Sequence, residues 1–193
     1  MNLENTATLW VVRHAAPCIA PGTCYGALDV PAEPEATQTA AQRLATSLPN
    51  SVLLRHSPLQ RCEQLALSLC ALQAHLTSNA DGRLREMDFG QWEGRLWADI
   101  ARDGLDAWTQ DFAHYRPGQG ENLASMLTRV SAALDEAQQH LLRGTPVVWV
   151  THAGVARCVE WLVSQGGLPA ALQVTAAQWP LHAPGFGAWQ TYA

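Results

Sequence analysis

Apolar positions along this chain follow two rhythms. Short continuous runs, "TLWVV" at 8–12, "SVLL" at 51–54 and "PVVWV" at 146–150, lack the polar alternation of a half-exposed strand and predict strands buried on both faces. Longer stretches repeat their apolar residues at helical spacing: "PEATQTAAQRLATSL" (34–48), "SPLQRCEQLALSLCAL" (57–72), Leu123 to Leu142, and "AGVARCVEWLVSQGG", which closes on glycines. In the second of these, Leu65, Leu69 and Leu72 share a face, with Ser57 as a capping residue and Pro58 at the first helical position. Residues 83–95, broken by Gly90 and Gly94, read as a loop; aromatic, helical segments continue to about residue 116, followed by a turn at "RPGQGEN". "FGAWQTYA" predicts a terminal strand.

Buried strands separated by helices imply a parallel sheet covered on both sides. The expected fold is therefore α/β, a three-layer α/β/α sandwich with a mostly parallel central sheet. The 193 residues fit one domain spanning 1–193, with residues about 92–120 as a small, helical, lid-like insertion. Ligands of open sheets bind beyond the carboxyl ends of the strands. His14 follows the first apolar run and His152 the third, each trailed by small residues that let the chain turn, so the two histidines could face one pocket. Arg55-His56 has the same local setting as Arg13-His14, and the dipeptide alone does not discriminate between them.

Composition narrows the partners. With 48% apolar and 15% charged residues, the chain can fill a core and carries no disordered or low-complexity tract. A net charge of −5 without a lysine- or arginine-rich stretch argues against nucleic acid. "MNLENTATLW" lacks the basic start and apolar core of a signal, and no apolar window approaches the roughly 18 residues of a membrane span, so a soluble, cytoplasmic protein is expected. The five cysteines are odd in number and include no CxxC pair, so reduced thiols are expected and a structural zinc is not.

Four short motifs, "VVRHAAP", "SPLQRC", "LREMDFGQWEG" and "VTHAG", occur in that order over nearly the whole chain and together resemble the histidine phosphatase superfamily, also called the phosphoglycerate mutase-like family. The resemblance implies a phosphoglycerate mutase-like sandwich and a phosphate monoester as small-molecule substrate. It makes His14 the nucleophile that accepts the phosphoryl group, places Arg13, Arg61 and His152 around the phosphate, and makes Glu86 the proton donor. His56 becomes a structural or rim residue. These types suit the chemistry: a phosphoryl group in transfer spreads negative charge over its oxygens, and guanidinium forks match it. A neutral imidazole can attack phosphorus through one nitrogen while a backbone carbonyl holds the other. Partial burial beside Met87 and Phe89 would raise the pKa of Glu86, and the arginines would lower it. Asp88 and Glu93 are the other carboxylates of that loop. The scheme calls on no metal and no cofactor.

The chain departs from the family pattern in places. Ala15 stands where most members have glycine, "APCIAPGT" replaces the usual threonine or serine and asparagine, and Thr23 is the available substitute contact. Glu121 and Asn122 occupy a site where the family usually has a glutamate and a serine near the phosphate. "PGTCYGALDVPAEP" (21–34) is similar to the α-ribazole phosphatases, which implies α-ribazole 5′-phosphate, or its cobamide-linked form, as substrate; Tyr25 and Ala153 are further candidate substrate contacts. Trp92, Trp97, Trp108 and Tyr115 could offer faces to a benzimidazole, although aromatic residues in helices more often pack a core or lid. The rival readings are a broad-specificity phosphatase or mutase-like enzyme of the same family, and an inactive phosphate-ligand or protein-binding module.

Overall fold

The computed structural model describes residues 7–193; the opening stretch "MNLENT" lies outside the described residues. Strand β1 (Leu9–Arg13) is followed by helix α1 (Pro34–Ser47), β2 (Leu53–His56), α2 (Gln60–Leu72) and β3 (Ser78–Ala80). After an irregular stretch come α3 (Arg102–Gln110), α4 (Leu123–Leu142), β4 (Val147–Thr151), α5 (Ala153–Gln165), the short α6 (Leu168–Ala171) and β5 (Trp189–Tyr192). The sheet order is β3-β2-β4-β1-β5, with only β5 antiparallel to its neighbour. This is the mostly parallel α/β sandwich expected from the buried apolar runs.

Alternation along the strands divides the core in two. Val12, Leu54, Val148 and Val150 point to the face covered by α1 and α2, where Leu44, Leu65 and Leu69 meet them. Leu9, Val11, Val147 and Trp149 point the other way, onto Leu127 and Val130 of α4 and Val155 and Val159 of α5. All five residues of β4 are buried. A strand with helices on both faces has no solvent side, and this is why its sequence shows no polar alternation.

Two boundaries differ from the sequence reading in ways that shape the site. Strand β2 runs two residues further than expected and includes Arg55 and His56. His56 is therefore buried within the sheet, its Nδ1 2.6 Å from Ser78 Oγ of β3. Helix α2 starts at Gln60 rather than Ser57, with Leu59 at the cap position. Ser57 is withdrawn because its hydroxyl lies 2.8 Å from His152 Nε2, and Asp29 serves the helix instead, its Oδ1 accepting the Gln60 N–H at 2.7 Å. Strand β3, "SNA", has no counterpart in the sequence pattern: three small or polar residues at a sheet edge carry no periodic signal.

Candidate active site

Register explains why two apolar runs end on histidine. Strands β1 and β4 are neighbours with Arg13 opposite Thr151, so the next residues, His14 and His152, emerge side by side. The His14 N–H donates to the Thr151 carbonyl at 2.9 Å, and the two imidazole rings stand edge to face, 5.2 Å between centroids. Both histidines are almost wholly buried.

His14 is held as a neutral imidazole with one ring nitrogen free of a proton. Burial, and next to it the Arg61 guanidinium, lower its pKa to about 3. Its Nδ1 lies 2.6 Å from the Ala15 carbonyl oxygen. An acceptor there requires the proton on Nδ1, which leaves the lone pair on Nε2. Ala15 therefore supplies the orienting carbonyl itself, at an ordinary negative φ, and the exchange of glycine for alanine costs the site nothing here. His152, fully buried and close to Arg61, is held well below its usual pKa, so it too is neutral at physiological pH. Cys62 lies against it, Sγ to Nε2 3.4 Å.

Arg61 has none of its surface exposed, and among the described residues no carboxylate pairs with it. Its terminal nitrogens donate to the carbonyls of Gly26 (2.7 Å) and Leu28 (2.9 Å), and the Tyr25 ring lies 5.4 Å from its guanidinium carbon. Arg13 donates from Nη1 to the Pro184 carbonyl at 3.1 Å and lies 3.9 Å over the Phe186 ring, which also flanks His14 at 5.6 Å. The Nε–H groups of both arginines are buried without a partner. The two guanidinium groups both act electrostatically on the neutral imidazole of His14, and two cations held by backbone carbonyls beside it suit an oxyanion.

Glu86 reaches the same spot from the loop after β3. Its Oε2 accepts the Gly154 N–H at 2.9 Å, at the start of α5 and two residues past His152. A Cβ at Gly154 would overlap Glu86 Oε1 outright, so the glycine of "VTHAG" is needed to admit the carboxylate. Ala153 opens α5 between His152 and Gly154, and the positive end of that helix faces the site. Glu86 is backed by Arg129 of α4, which donates to the carbonyls of Arg83, Arg85 and Glu86 while forming a double hydrogen bond with Glu121, 2.7 Å on each arm. Beyond Glu86 lies a cavity of about 510 Å³, walled by Ala27, Arg85, Arg116, Gln119 and Ser125 among others.

The remaining candidates separate clearly. Arg13, His14, Arg61, Glu86 and His152 converge, with Tyr25 and Ala153 at the edges. Asn122 caps α4 by accepting the Ser125 N–H, and Glu121 is taken up by Arg129. Thr23 pairs through its backbone with Leu96. Asp88 accepts the N–H of Gly90 and is exposed. Trp92, Trp97 and Trp108 pack mainly on one another and on Phe89, centroids 5.4 to 6.4 Å apart. Trp92 and Tyr115 also line a second cavity of about 590 Å³ that shares Arg116 and Gln119 with the first. Gly154 and Phe186 are not singled out from sequence, and Ser57 reads there as a helix cap rather than as a site residue. The small residues after "VTH" are the visible signal for Gly154; nothing local marks Phe186.

The family profile described as histidine phosphatase superfamily, branch 1, matches residues 9–178. This chain belongs to that superfamily. Among solved structures, a mycobacterial glucosyl-3-phosphoglycerate phosphatase in complex with VO3 is 27% identical, covering 96% of this chain and 92% of that one with a TM-score of 0.76. A phosphoglycerate mutase from Thermus thermophilus is 30% identical, covering 82% of this chain and 84% of that one with a TM-score of 0.65. Among curated protein sequences, none matches the chain significantly. In this member of the histidine phosphatase superfamily the histidine pair directly follows two adjacent parallel strands, whose register brings the two side by side.

Proposed function

We propose that the protein is a phosphomonoesterase working through a phosphohistidine at His14. The observation that carries this reading is a neutral imidazole, its Nδ1 proton held by the Ala15 carbonyl, beside two arginines held by backbone carbonyls rather than by carboxylates. The His14 Nε2 lone pair attacks phosphorus, an N–P bond forms, and the P–O bond to the leaving group breaks while Glu86 gives its proton to the departing alkoxide. Water then attacks the phosphoimidazole, Glu86 takes up its proton, and His14 returns to its starting state with release of phosphate. Arg13, Arg61 and His152 hold the phosphoryl oxygens, where charge accumulates.

The finer reading is an α-ribazole phosphatase, removing the 5′-phosphate of α-ribazole phosphate or of its cobamide-linked form. The stretch "PGTCYGALDVPAEP" supports it, and so does the sequence of cavities: polar walls beside Glu86 suit a ribose, and Trp92 and Tyr115 beyond Arg116 and Gln119 suit a flat base. A second reading is a phosphatase for polyhydroxylated or carboxylated alcohols, favoured by the polar groove and by the likeness to the glucosyl-3-phosphoglycerate phosphatase. The test is a substrate panel with wild type and His14→Ala. Wild type quenched in alkali should carry acid-labile phosphate on His14, and the variant should lose at least about 1,000-fold in kcat, because nucleophile and acid act as a unit. Comparable turnover by His14→Ala would overturn the nucleophile. Equal kcat/KM for α-ribazole phosphate, sugar phosphates and phosphoglycerates would overturn the finer reading and leave the phosphatase standing.

A further inference from the structure

We infer that Glu93 is a positioning residue of the phosphate site, acting on Arg61 through the peptide units of residues 26–28. The inference rests on Arg61 being a phosphate contact. It goes beyond that role by naming what aims the guanidinium.

The Glu93 carboxylate accepts four backbone N–H groups: Oε2 takes those of Gly26 (2.8 Å) and Leu28 (3.1 Å), and Oε1 those of Ala27 and Phe89 (2.9 Å each). Four donors use up its acceptor sites, so Glu93 is occupied as a strut and is not placed to serve as the proton donor. The same short segment turns its carbonyls the other way. Gly26 and Leu28 accept from the two terminal nitrogens of Arg61. Residues 26–28 therefore lie between an anion on their N–H side and a cation on their C=O side, an arrangement in which each hydrogen bond polarises the next.

The segment has little freedom to find another position. Gly26 is wedged so tightly that a Cβ would overlap the Met87 carbonyl oxygen and lie 2.8 Å from the Phe89 ring. Before it, Cys24 exchanges backbone hydrogen bonds with Gly94 and Arg95; after it, Asp29 is fixed on Gln60 by two more. These anchors hold the ends of the loop without Glu93. Between these anchors Glu93 is the side chain that holds the N–H groups of residues 26–28, and through those peptide units it sets the direction of the Arg61 fork. Since no carboxylate touches Arg61, its full charge stays available to the phosphate while its aim is set one peptide away.

The test is a double-mutant cycle read by orthovanadate and inorganic phosphate as inhibitors, with KM and kcat on p-nitrophenyl phosphate. Glu93→Gln keeps the shape but sets an amide NH2 against backbone N–H donors. A shift of the Arg61 fork by about 1 Å should weaken vanadate and phosphate and raise KM by about tenfold to 100-fold. In the Arg61→Met background the same change should matter by less than about twofold, since nothing remains to aim. Glu93→Asp, which retains the charge one methylene short, should fall between, and it carries the cycle if Glu93→Gln does not fold. Unaltered inhibitor affinity in a folded Glu93 variant would overturn the inference, as would an equal loss with and without Arg61, which would make Glu93 a fold strut only. Failure of the wild type to bind vanadate or hydrolyse any phosphomonoester would instead remove the phosphatase reading, and this inference with it.

Discussion

Gly154→Ala separates proton donation from everything else in the site. Gly154 is the second residue of α5, where alanine is a better helix former than glycine by up to about 1 kcal/mol, so the substitution does not endanger the fold. A Cβ built there overlaps Glu86 Oε1 and stands 2.9 Å from Cδ and 3.2 Å from Oε2. The backbone of α5 is fixed by its own hydrogen bonds and by the buried Val155, Ala156 and Val159, so the carboxylate must yield, by about 1 Å to reach ordinary contact distance. A displacement of that size costs about 100-fold for a group that must meet a reacting atom, within the roughly 100- to 10,000-fold that general acid catalysis supplies in all. The loss should depend on the leaving group. Alkyl phosphates, whose alkoxides need a proton, should fall about 100-fold in kcat/KM, and p-nitrophenyl phosphate, whose phenolate leaves without one, by less than about fivefold. Thermal midpoint should not drop. Alkyl phosphate turnover within about threefold of wild type, or an equal loss on both substrates, would refute the placement of Glu86 as the acid.

Two further outcomes follow from the buried cluster. The folded-state pKa of His14 is lowered from 6.5 to about 3, so the folded protein binds this proton less readily than the unfolded chain; the associated stability is present above pH 6.5 and is lost as pH falls toward 3. Over the interval from about pH 6.5 to 4.5, urea unfolding should show wild type losing about 2 kcal/mol more than His14→Asn, and parallel curves would contradict the buried neutral state. Arg61→Met removes a buried cation without a carboxylate partner, so the variant should melt no lower than wild type in phosphate-free buffer while losing activity. Wild type should gain about 2.7 kcal/mol from phosphate at about 100 times its Kd and the variant clearly less at the same phosphate concentration, as measured by thermal melts with and without phosphate; a markedly less stable Arg61→Met would count against this account.

What could be read from the sequence was what a continuous pattern encodes. The runs before His14 and His152 are apolar at every position because β1 and β4 lie inside the sheet, and that fact alone placed both histidines at strand ends. Strand β3 and the true start of α2 were illegible because each is fixed from a distance: Ser78 by pairing with Leu54, and Gln60 by the side chain of Asp29. The burial of Arg61 had a faint signature. It stands one helical turn before Leu65 and two before Leu69, on the stripe that faces the sheet, where a surface arginine would not be. Glu93 looked like one more loop carboxylate, since acceptance of four backbone N–H groups has no signature in residue type. The aromatic residues between 92 and 115 cluster as their density suggested, yet mostly against each other, with Trp92 and Tyr115 on the wall of the cavity that adjoins Arg116 and Gln119.

The electrostatic design explains how a chain of net charge −5 can still present a site for an anion. Acidic residues surround the groups we propose to bind phosphate without cancelling them. Glu93 is separated from Arg61 by a peptide unit, Glu121 spends its carboxylate on Arg129, and Glu86 meets the N-terminus of α5. Carbonyl oxygens hold Arg13 and Arg61 in their place, offering partial rather than full negative charge. A carboxylate partner would orient the guanidinium equally well, but it would compete with the phosphoryl oxygens for the same charge. In a buried site, where screening is weak, that competition would outweigh the protein's overall charge, which salt screens over about 8 Å at physiological ionic strength. The arrangement therefore requires buried arginines directed by backbone, and the local folding of residues 24–29 and 184–187 provides it.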